Sequence, residues 1–555
     1  MKPLGLIHNA VRAKEIFSVL ARHGFANLLN QVDPQGGWWQ RFVPQPATRR
    51  TLWERTRLAL EELGPTFIKA GQIMSMRPDV LPHGLILELR KLQNAVTPLP
   101  FGEMRQVLVD ELELEPREVF ATFDETPIAS ASLAQVYFAT LPDGREVAVK
   151  VQRPNLTRSV HTDLDLLAWF AAQLHQRVHA FQPYDLPAVV AEVREGLLRE
   201  LDFRNEVLNQ QYFNTLNPHP EKVFAPAVVE ELCGERVLVM ERINGVPVTA
   251  AARLPREEAQ RIAANGAESI LHQVLVIGFF HADPHAGNIL LTPDGRVCFL
   301  DWGMTGNLTR RLRHGLADLL GAAVHQDAER IVQIAAELGS PTGRADLRAM
   351  ERDVTLVLRQ DFNTALNTTL NHVQIGRVML KLLFIFGQNG INITRDYSLM
   401  AKAVLSIEET ARTLDPTFEL PRHARPILRE QQRERTGPRA MLRETRQFLH
   451  TLATGARELP SGIFRIIRRM ERDDLTIKFR HEGLEDLDDA LKTASNRITL
   501  GVIIGSLIMG SSLIVTARVG PEVFGYPLLG MAGYLLSALF GCYIVWDIFR
   551  HGRHR

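Results

Sequence analysis

The sequence predicts an α+β protein in which a small sheet precedes a larger helical region, with further helices in front and two apolar segments near the end. The periodicity changes from helical to alternating between Val119 and Val151, and it is helical again beyond Pro255. Two stretches, Ile498–Ala517 and Val523–Trp546, carry no charged residue. A composition of 45% hydrophobic and 23% charged residues over 555 residues fits a folded chain of several structural units.

The two charge-free stretches have 20 and 24 residues, so each is long enough to cross a membrane as a helix. A basic tail, Arg550–Arg555, follows the second one. By the bias of positive charge toward the cytoplasm, we expect a two-helix transmembrane hairpin with both the long N-terminal part and the tail in the cytoplasm. Gly501 with Gly505, and Ser537 with Gly541, predict close packing within the hairpin or in a homodimer. Two buried helices of a soluble core are the less favoured alternative, since such helices seldom lack charge over this length.

Positive charge is concentrated just before this region, although the formal net charge is only +1. Residues 421–470 contain 12 arginines and 4 glutamates, with no lysine or aspartate, which leaves eight positive charges. Apolar residues and arginines alternate between Ile463 and Arg472, a pattern typical of a helix on a membrane surface. We therefore expect anionic membrane lipids as partners and no nucleic acid, while a solvated linker helix remains possible.

The cysteines and the N-terminus limit the cellular context. Cys233, Cys298 and Cys542 are far apart in the sequence, which argues against a disulfide framework or a zinc site and favours a reducing compartment. Met1–Phe17 mixes charged and apolar residues and lacks the apolar run of a signal peptide. The region before the apolar segments is therefore expected to stay on the side of the membrane where it is made.

Helices are predicted for residues 1 to about 115, where Val11–Leu29 and Thr51–Leu63 carry apolar residues at three- and four-residue spacing. Turn residues and alternation then predict extended segments at Leu133–Thr140, Arg145–Val151, Val223–Glu230 and Arg236–Glu241. One helix, Pro187–Leu216, is predicted between the two pairs of strands.

A strand lysine is the first candidate functional residue. Lys150 ends the strand segment Val147–Lys150, and a lysine that contacts nucleotide phosphates needs a carboxylate to orient it. The predicted helix supplies Glu200, Asp202 and Glu206, of which the last two share a face if the helix is continuous. A solvated lysine and an ordinary charged helix face remain alternatives on these segments alone.

The most specific motif is His281–Asn288, which has the spacing H-x-D-x-x-x-x-N of a kinase catalytic loop. In that chemistry Asp283 accepts the proton of the attacking hydroxyl or positions a water, and Asn288 binds a metal that bridges phosphates. Asp301 begins Asp-Trp-Gly and corresponds to the second metal ligand, with Trp302 in place of phenylalanine. The sequence therefore predicts a protein-kinase-like fold with two lobes, ATP as substrate and Mg²⁺ as its metal. The rival interpretation, in which the alternating histidines and Asp283 bind a hydrolase metal, lacks further ligands to complete a coordination shell.

Two parts of the ordinary kinase pattern are missing. No G-x-G-x-x-G precedes Lys150, and no A-P-E follows Asp301, so the platform for a protein substrate is unsupported. An alanine- and serine-rich loop takes the place of the glycine-rich one, and its backbone amides and hydroxyls can still contact phosphates. The predicted nucleotide-binding residues are Ile128, Ala129, Ser130, Ala131, Ser132, Leu133, Ala134, Gln135, Val136, Lys150 and, at the hinge, Met240.

The chain resembles the UbiB/AarF family of atypical protein-kinase-like ATPases over about residues 10–420 and at the C-terminal hairpin. The resemblance is carried by the K-x-G-Q sequence Lys69–Gln72, the loop Ala129–Ser132, Glu200 with Asp202, His281–Asn288, Asp301, Glu408–Glu409 and Leu414–Pro416. It implies that Lys69 and Gln72 fold over the cleft where a protein kinase receives its peptide. It also implies a Lys69–Glu200 pair, a Lys150–Glu206 pair and metal binding by Asn288 and Asp301.

This resemblance implies a membrane-bound enzyme that uses Mg-ATP to support ubiquinone biosynthesis, acting on or extracting quinone-precursor lipids together with other proteins of that biosynthesis. The catalytic residues would be Asp283, Lys150, Glu206, Lys69 and Glu200. A small-molecule or lipid kinase, and a nucleotide-binding scaffold without turnover, are the alternatives. The expected parts are a helical extension (1–115), a smaller lobe (116–241), a larger lobe (242–420), a basic helical segment (421–496) and the hairpin with its tail (497–555).

Overall fold

The computed structural model describes residues 3–26, 29, 50–75, 77, 81–92, 97–178, 185–341, 345–363, 374–436, 485–517, 520–523 and 526–551. These residues divide into two units, 1–442 and 443–555. The basic amphipathic stretch predicted between Ile463 and Arg472 lies outside the described residues.

Helices form the N-terminal region of the first unit. They are α1 (Pro3–Arg22), α2 (Leu52–Leu63), α3 (Pro65–Met74), α4 (His83–Leu89), α5 (Phe101–Leu112) and α6 (Pro116–Val119). Thr51 caps α2, because its side chain accepts the backbone N–H of Glu54 while Glu54 binds the backbone of Thr51. Gly64, with φ of 97°, separates α2 from α3. The predicted helix Val11–Leu29 instead ends at Arg22, before the left-handed Gly24.

A five-stranded antiparallel sheet follows. Its strands are β1 (Thr122–Phe123), β2 (Ala129–Ser130), β3 (Ala134–Thr140), β4 (Glu146–Gln152) and, after the helices that follow β4, β6 (Val237–Glu241). The order is β1-β3-β4-β6, with β2 also paired to β3. Lys150 lies opposite Val136 on one side and Leu238 on the other, so the lysine occupies the middle of the sheet.

The two faces of this sheet differ in their partners. Tyr137 and Val149 belong to a buried cluster with helix α5, while Ala134, Ala148 and Met240 pack with residues of the helix that follows Asp202. Because side chains alternate along a strand, Lys150 points to the same side as Ala148. This face becomes the wall of the cleft between the lobes.

The helix predicted as Pro187–Leu216 is broken. After α7 (Leu156–Arg177), the structure has α8 (Leu186–Leu201) and α9 (Phe203–Leu216), separated by Asp202 in an extended conformation. The Asp202 carboxylate accepts the backbone N–H of Arg204 and so caps α9. Asp202 therefore does not share a helix face with Glu206.

The larger lobe is mostly helical and contains short strands. Its strands are β5 (Val223–Phe224), β7 (Val246–Pro247), β8 (Phe279–His281), β9 (Ile289–Leu291), β10 (Val297–Phe299), β11 (Thr305–Asn307), β12 (Ser340–Pro341) and β13 (Ile391–Asn392). Its helices are α10 (Arg256–His272), α11 (Arg310–Val324), α12 (Ala328–Leu338), α13 (Leu347–Asn363), α14 (Ile375–Gln388), α15 (Arg395–Leu414) and α16 (Leu420–Thr436). Strands β8 and β11 pair antiparallel, as do β9 and β10, and these pairs border the segments His281–Asn288 and Asp301–Gly303.

The second unit consists of α17 (Glu485–Ala517), β14 (Glu522–Val523), β15 (Tyr526–Pro527) and α18 (Leu528–His551). Among the described residues, one helical stretch, Ile498–Ala517, has the length and composition to cross a membrane, and the apolar stretch of α18, Leu528–Tyr543, is shorter. The second predicted segment therefore starts too early at Val523, because the chain forms a strand pair there.

The two long helices of this unit pack closely, and their tightest contacts lie at glycines other than the predicted ones. A Cβ at Gly530 would lie 2.5 Å from Val515, and a Cβ at Gly533 would meet the hydroxyl of Ser511. In contrast, nothing lies within 4 Å of the position of a Cβ at Gly501, Gly505 or Gly541. The close approach is therefore made at the end of α17 and the start of α18.

Candidate active site

The predicted strand lysine makes the predicted ion pair. Lys150 Nζ lies 3.0 and 2.8 Å from the two carboxylate oxygens of Glu206, in the first turn of α9. Asp301 Oδ1 lies 3.6 Å from the same ammonium, and the ring of Phe203 faces it at 5.2 Å. Although burial opposes its charge, Asp301 and Glu206 raise the pKa of Lys150 above its ordinary value. The arrangement holds the ammonium fixed between two carboxylates that come from distant parts of the chain.

A second lysine reaches the cleft from the helical extension. Lys69 on α3 is buried and forms an ion pair with Glu200, which lies on the last turn of α8. Burial opposes the charge of Lys69, yet the carboxylate of Glu200 raises the pKa above its ordinary value. The K-x-G-Q glutamine, Gln72, donates to the backbone carbonyl of Leu92 at 3.0 Å and helps to fix α3.

Three carboxylates converge beside these two lysines. A Cβ at Gly303 would lie 3.1 Å from Asp301 Oδ1, 3.7 Å from Glu200 Cγ and 3.9 Å from Glu206 Oε2, so a side chain has little room there. Burial raises the pKa of Glu206 to about 7, while Lys150 and Lys69 hold the pKa of Asp301 well below its usual range. The site thus contains a surplus of acidic groups that a divalent cation would compensate.

The predicted base, Asp283, has a partner that the sequence analysis did not find. Lys402 on α15 places Nζ 3.0 Å from Asp283 Oδ1. Both side chains are about a quarter exposed, so the pair is accessible from the cleft. No sequence motif or spacing connects Lys402 with Asp283, so the sequence carried no signal for this pair.

Asn288 is hydrogen-bonded both to the loop residue Asp283 and to the segment that leads into Asp301. Its side-chain amide donates to the carbonyl of Asp283 at 3.4 Å, and its backbone carbonyl accepts the N–H of Leu300 at 2.9 Å. The second bond fixes the residue immediately before Asp301. This backbone hydrogen bond therefore holds Asn288 and Asp301 at a fixed position relative to each other.

The two histidines of the loop support its shape. Nδ1 of His281 accepts the N–H of Asp283, and Nδ1 of His285 accepts the N–H of Gly287, each at 3.0 Å. His281 is fully buried, and burial lowers its pKa to about 4. This use of the ring nitrogens by backbone amides does not favour the alternative in which both histidines bind a metal.

Trp302 anchors the segment that carries Asp301. The indole is fully buried, its Nε1 donates to the carbonyl of Phe299 at 3.0 Å, and its ring stacks on Phe213 of α9 at 4.4 Å. Asn209 of the same helix donates to the Trp302 carbonyl at 2.9 Å. Because α9 also carries Glu206, these contacts tie the two carboxylate partners of Lys150 to one helix.

The alanine-rich loop between β2 and β3 is fastened by an arginine. Arg153 donates to the carbonyl of Ala131 at 3.0 Å and to the hydroxyl of Ser130 at 2.8 Å. Gln135, predicted to bind nucleotide, lies with its side chain on the other face of the sheet, where it bonds to Leu99 and Tyr137. Val136 and Met240, in contrast, belong to the cluster on the cleft face.

The extension is also linked to the larger lobe. Arg77, which follows α3, forms an ion pair with Glu192 on α8, and Arg395 of α15 lies 3.6 Å from the same carboxylate. One partly exposed glutamate thus joins the extension to the helix that carries Lys402.

The residues present fit a magnesium ion bound together with phosphates. Within the described part of the chain, no group of three or more His, Cys, Asp or Glu side chains is placed to hold a metal by itself. Magnesium commonly takes one or two protein ligands and completes its shell with phosphate oxygens and water. Asn288 and Asp301 are the two candidate ligands, and the surplus of carboxylates supplies the charge that the ion needs.

Three domain families match the chain. The ABC1 atypical kinase-like domain matches residues 91–335, the UbiB helical domain matches residues 358–419, and the ABC1/UbiB kinase-like C-terminal domain matches residues 482–550. The first contains Lys150, Glu206, Asp283 and Asp301, and the second contains Lys402.

Related proteins cover almost the whole chain. It is 32% identical to a probable protein kinase UbiB of Xanthomonas campestris pv. campestris, over 92% of this chain and 93% of the relative. It is 29% identical to an uncharacterized protein in the hydrogenase 1 5′ region of Clostridium pasteurianum, over 98% of this chain and all of that protein. Among solved structures, it is similar to Rv3197 of Mycobacterium tuberculosis in complex with erythromycin, with 24% identity, 62% and 87% of the two chains covered and a TM-score of 0.45. From the three domain matches and the Xanthomonas relative, the chain belongs to the UbiB family of atypical kinase-like proteins and has a kinase-like fold.

Proposed function

We propose that the protein is a membrane-bound atypical kinase or ATPase that uses Mg-ATP to support ubiquinone biosynthesis by acting on or extracting lipid-like quinone precursors. The observation that carries the proposal is the convergence of Lys150, Glu206 and Asp301 at one side of the cleft, with Asp283 and Lys402 at the catalytic loop. These are the charged groups that phosphoryl transfer requires for positioning and for stabilising charge on phosphate oxygens.

Each residue has a distinct role in this proposal. Lys150, oriented by Glu206, binds the phosphates of the nucleotide, and Asp283 positions the attacking water or hydroxyl. Magnesium bound at Asn288 and Asp301 would neutralise charge on the phosphate oxygens. Lys402 stabilises the carboxylate of Asp283 and adds positive charge on the side where the phosphoryl group is attacked.

The position of Lys69 favours ATP hydrolysis or a small lipid-like acceptor over a protein substrate. The Lys69–Glu200 pair brings α3 of the extension into the site and leaves α3 packed on α7 and α8. No A-P-E sequence follows Asp301 to form a platform for a peptide. The proposed acceptor is therefore water or a lipid, and other proteins of quinone biosynthesis are proposed as partners.

Membrane attachment is proposed through α17 and α18 as a hairpin. Large apolar side chains are exposed along both helices, including Ile498, Leu513, Leu529, Leu535 and Trp546. Exposed apolar residues on this scale are stable in lipid and costly in water. The proposed location is the bacterial inner membrane, with the kinase-like part in the cytoplasm.

The test is ATP turnover by the purified full-length protein in anionic liposomes, with Asp283→Asn and Lys69→Ala as comparison variants. We expect phosphate release that is lost in Asp283→Asn, without a phosphorylated protein. A stable phosphorylated lipid would instead identify a lipid kinase. Nucleotide binding with no turnover above the Asp283→Asn background would contradict enzymatic activity and favour a scaffold.

A further inference from the structure

An apolar cavity of about 170 Å³ lies in the larger lobe, away from the residues of the candidate active site. It lies among four helices and is partly open, and its lining includes Leu319 and Ala323 of α11, Leu382 and Phe386 of α14, Met400 of α15 and Arg425 of α16. On α14, the lining residues recur at three- and four-residue spacing from Ile375 to Phe386, so one whole face of that helix borders the space.

Water is a poor occupant for this space. A buried water needs two to four polar partners, and an apolar cavity of about 150 Å³ stays dry and binds benzene. Tyr397 of α15 brings a hydroxyl to the cavity wall. This hydroxyl already donates to the carbonyl of Leu312 at 2.6 Å, so it is not free to hold a water. An unfilled cavity of this size also lowers the stability of the fold, so an apolar ligand that fills it gains contacts that the protein itself leaves unmade.

The size and the charge at the rim define the ligand. The cavity accepts a group of about the volume of benzene, which suits the end of a hydrocarbon chain and excludes a protein helix. Arg425 borders the cavity, is exposed, and makes no ion pair with any residue that the structure describes. An exposed guanidinium beside an apolar cavity matches a carboxylate or phosphate attached to a hydrocarbon chain.

We propose that this cavity binds the hydrocarbon end of a single-chain anionic amphiphile, with the acidic head group against Arg425. The inference deepens the proposed function by giving the lipid-directed activity a binding site, and it rests on that function for the biological identity of the ligand. The binding itself does not depend on ATP turnover. The same helix, α15, carries Met400 at the cavity and, two residues later and so about 200° around the helix, Lys402 at Asp283.

The experiment is photo-crosslinking of the full-length protein in nanodiscs with decanoic acid that carries a diazirine at the chain end. We expect adducts on α11 and α14. Ala323→Leu, which adds three carbons to the cavity wall, is expected to reduce this labelling by about tenfold or more. Adducts confined to residues 498–551, or equal labelling of wild type and Ala323→Leu, would overturn the proposal.

A second variant keeps the test valid if Ala323→Leu does not fold. Arg425→Ala is at an exposed position and should weaken decanoate labelling by up to about fivefold, the value of an exposed ion pair, and remove its preference over a matched decanol probe. Arg422→Ala, on the same helix but not at the cavity, is the matched control and should retain wild-type labelling. An Arg425→Ala protein with unchanged decanoate preference would contradict the assigned head-group position.

The binding test is separated from the ATPase test by the Asp283→Asn variant. This substitution lies outside the cavity and should leave the labelling of α11 and α14 unchanged while it abolishes ATP turnover. Labelling without turnover in the wild-type protein would leave the ligand site standing and reject the proposed enzymatic function. Turnover without labelling would reject the ligand site and leave the proposed enzymatic function standing.

Discussion

The ammonium of Lys402 lies 3.0 Å from the carboxylate of Asp283, which joins helix α15 to the loop that carries the predicted base. Lys402 falls within the matched UbiB helical domain, whereas Asp283 falls within the matched ABC1 kinase-like domain. The candidate site is therefore completed by a residue from outside the kinase-like match. This pair makes the helical domain part of the site rather than only a support for it.

If the protein turns over ATP as proposed, replacing Lys402 by methionine should lower that turnover by about 10²-fold, because the positive charge beside Asp283 would be lost. Phosphate release at saturating ATP is the measurement. Lys381→Met is the matched control, since Lys381 pairs with Asp361 on α13, away from the cleft. Turnover of Lys402→Met equal to that of the control would show that the pair has a structural role only.

Replacing Lys69 by methionine should destabilise the protein by about 3–5 kcal/mol, because Glu200 would remain buried without its partner. Only 11% of the Lys69 side chain and 14% of the Glu200 side chain are exposed, so water replaces little of the lost interaction. The measurement is the free energy of unfolding of the first unit, obtained by chemical denaturation of the full-length protein. The double variant Lys69→Met/Glu200→Gln should recover part of the loss, and a double variant less stable than the single one would contradict this account.

Stability should depend on pH through Glu408. Burial raises the pKa of this carboxyl to about 7, although Arg412 lies 3.1 Å away and the N–H of Gly376 points to it at 3.4 Å. The folded pKa is above the unfolded value, so the folded state keeps a proton that the unfolded state has released. The stabilisation is complete below about pH 4.5 and is lost by about 1.4 kcal/mol per pH unit up to about pH 7.

Glu408→Gln removes this titration. The difference in unfolding free energy between Glu408→Gln and wild type should therefore grow in favour of the variant as the pH rises from about 5 to about 7. Urea denaturation at several pH values measures it. Parallel pH profiles of the two proteins would show that Glu408 does not titrate in this range.

Replacing Trp302 by phenylalanine should cost about 2 kcal/mol of stability, because the Phe299 carbonyl loses its donor and the smaller ring leaves space against Phe213. ATP turnover should persist, since phenylalanine occupies this position in ordinary kinases and Asp301 is unchanged. Denaturation and turnover are measured on the same preparation. Loss of turnover in a folded Trp302→Phe protein would give the indole a direct role in placing Asp301.

Local spacing was enough to predict much of the site. Lys150, Asp283, Asn288 and Asp301 lie on short motifs whose geometry depends on a few neighbouring residues, and the structure brings all four to the cleft region. The strands around Lys150 were also predicted to within about one residue, because alternation and a turn sequence define them locally.

Long-range contacts explain what the sequence missed. Helical periodicity continues through position 202, yet Phe203 is buried and its N–H bonds to the carbonyl of Glu235, which breaks the helix there. Lys402 pairs with a residue in a different domain match, so no spacing rule could connect the two. The second apolar segment was placed too early because hydropathy does not distinguish a strand pair from the start of a helix.

The break at Asp202 allows Lys69 and Lys150 each to pair with a different glutamate. On an unbroken helix, Glu200 and Glu206 would be about 240° apart around the axis and would point in different directions. The extended residue lets the end of α8 serve Lys69 while the start of α9 serves Lys150. An unbroken helix through position 202 would therefore separate either Lys69 from Glu200 or Lys150 from Glu206, and the extension and the sheet could not both keep their ion pair with this helical segment.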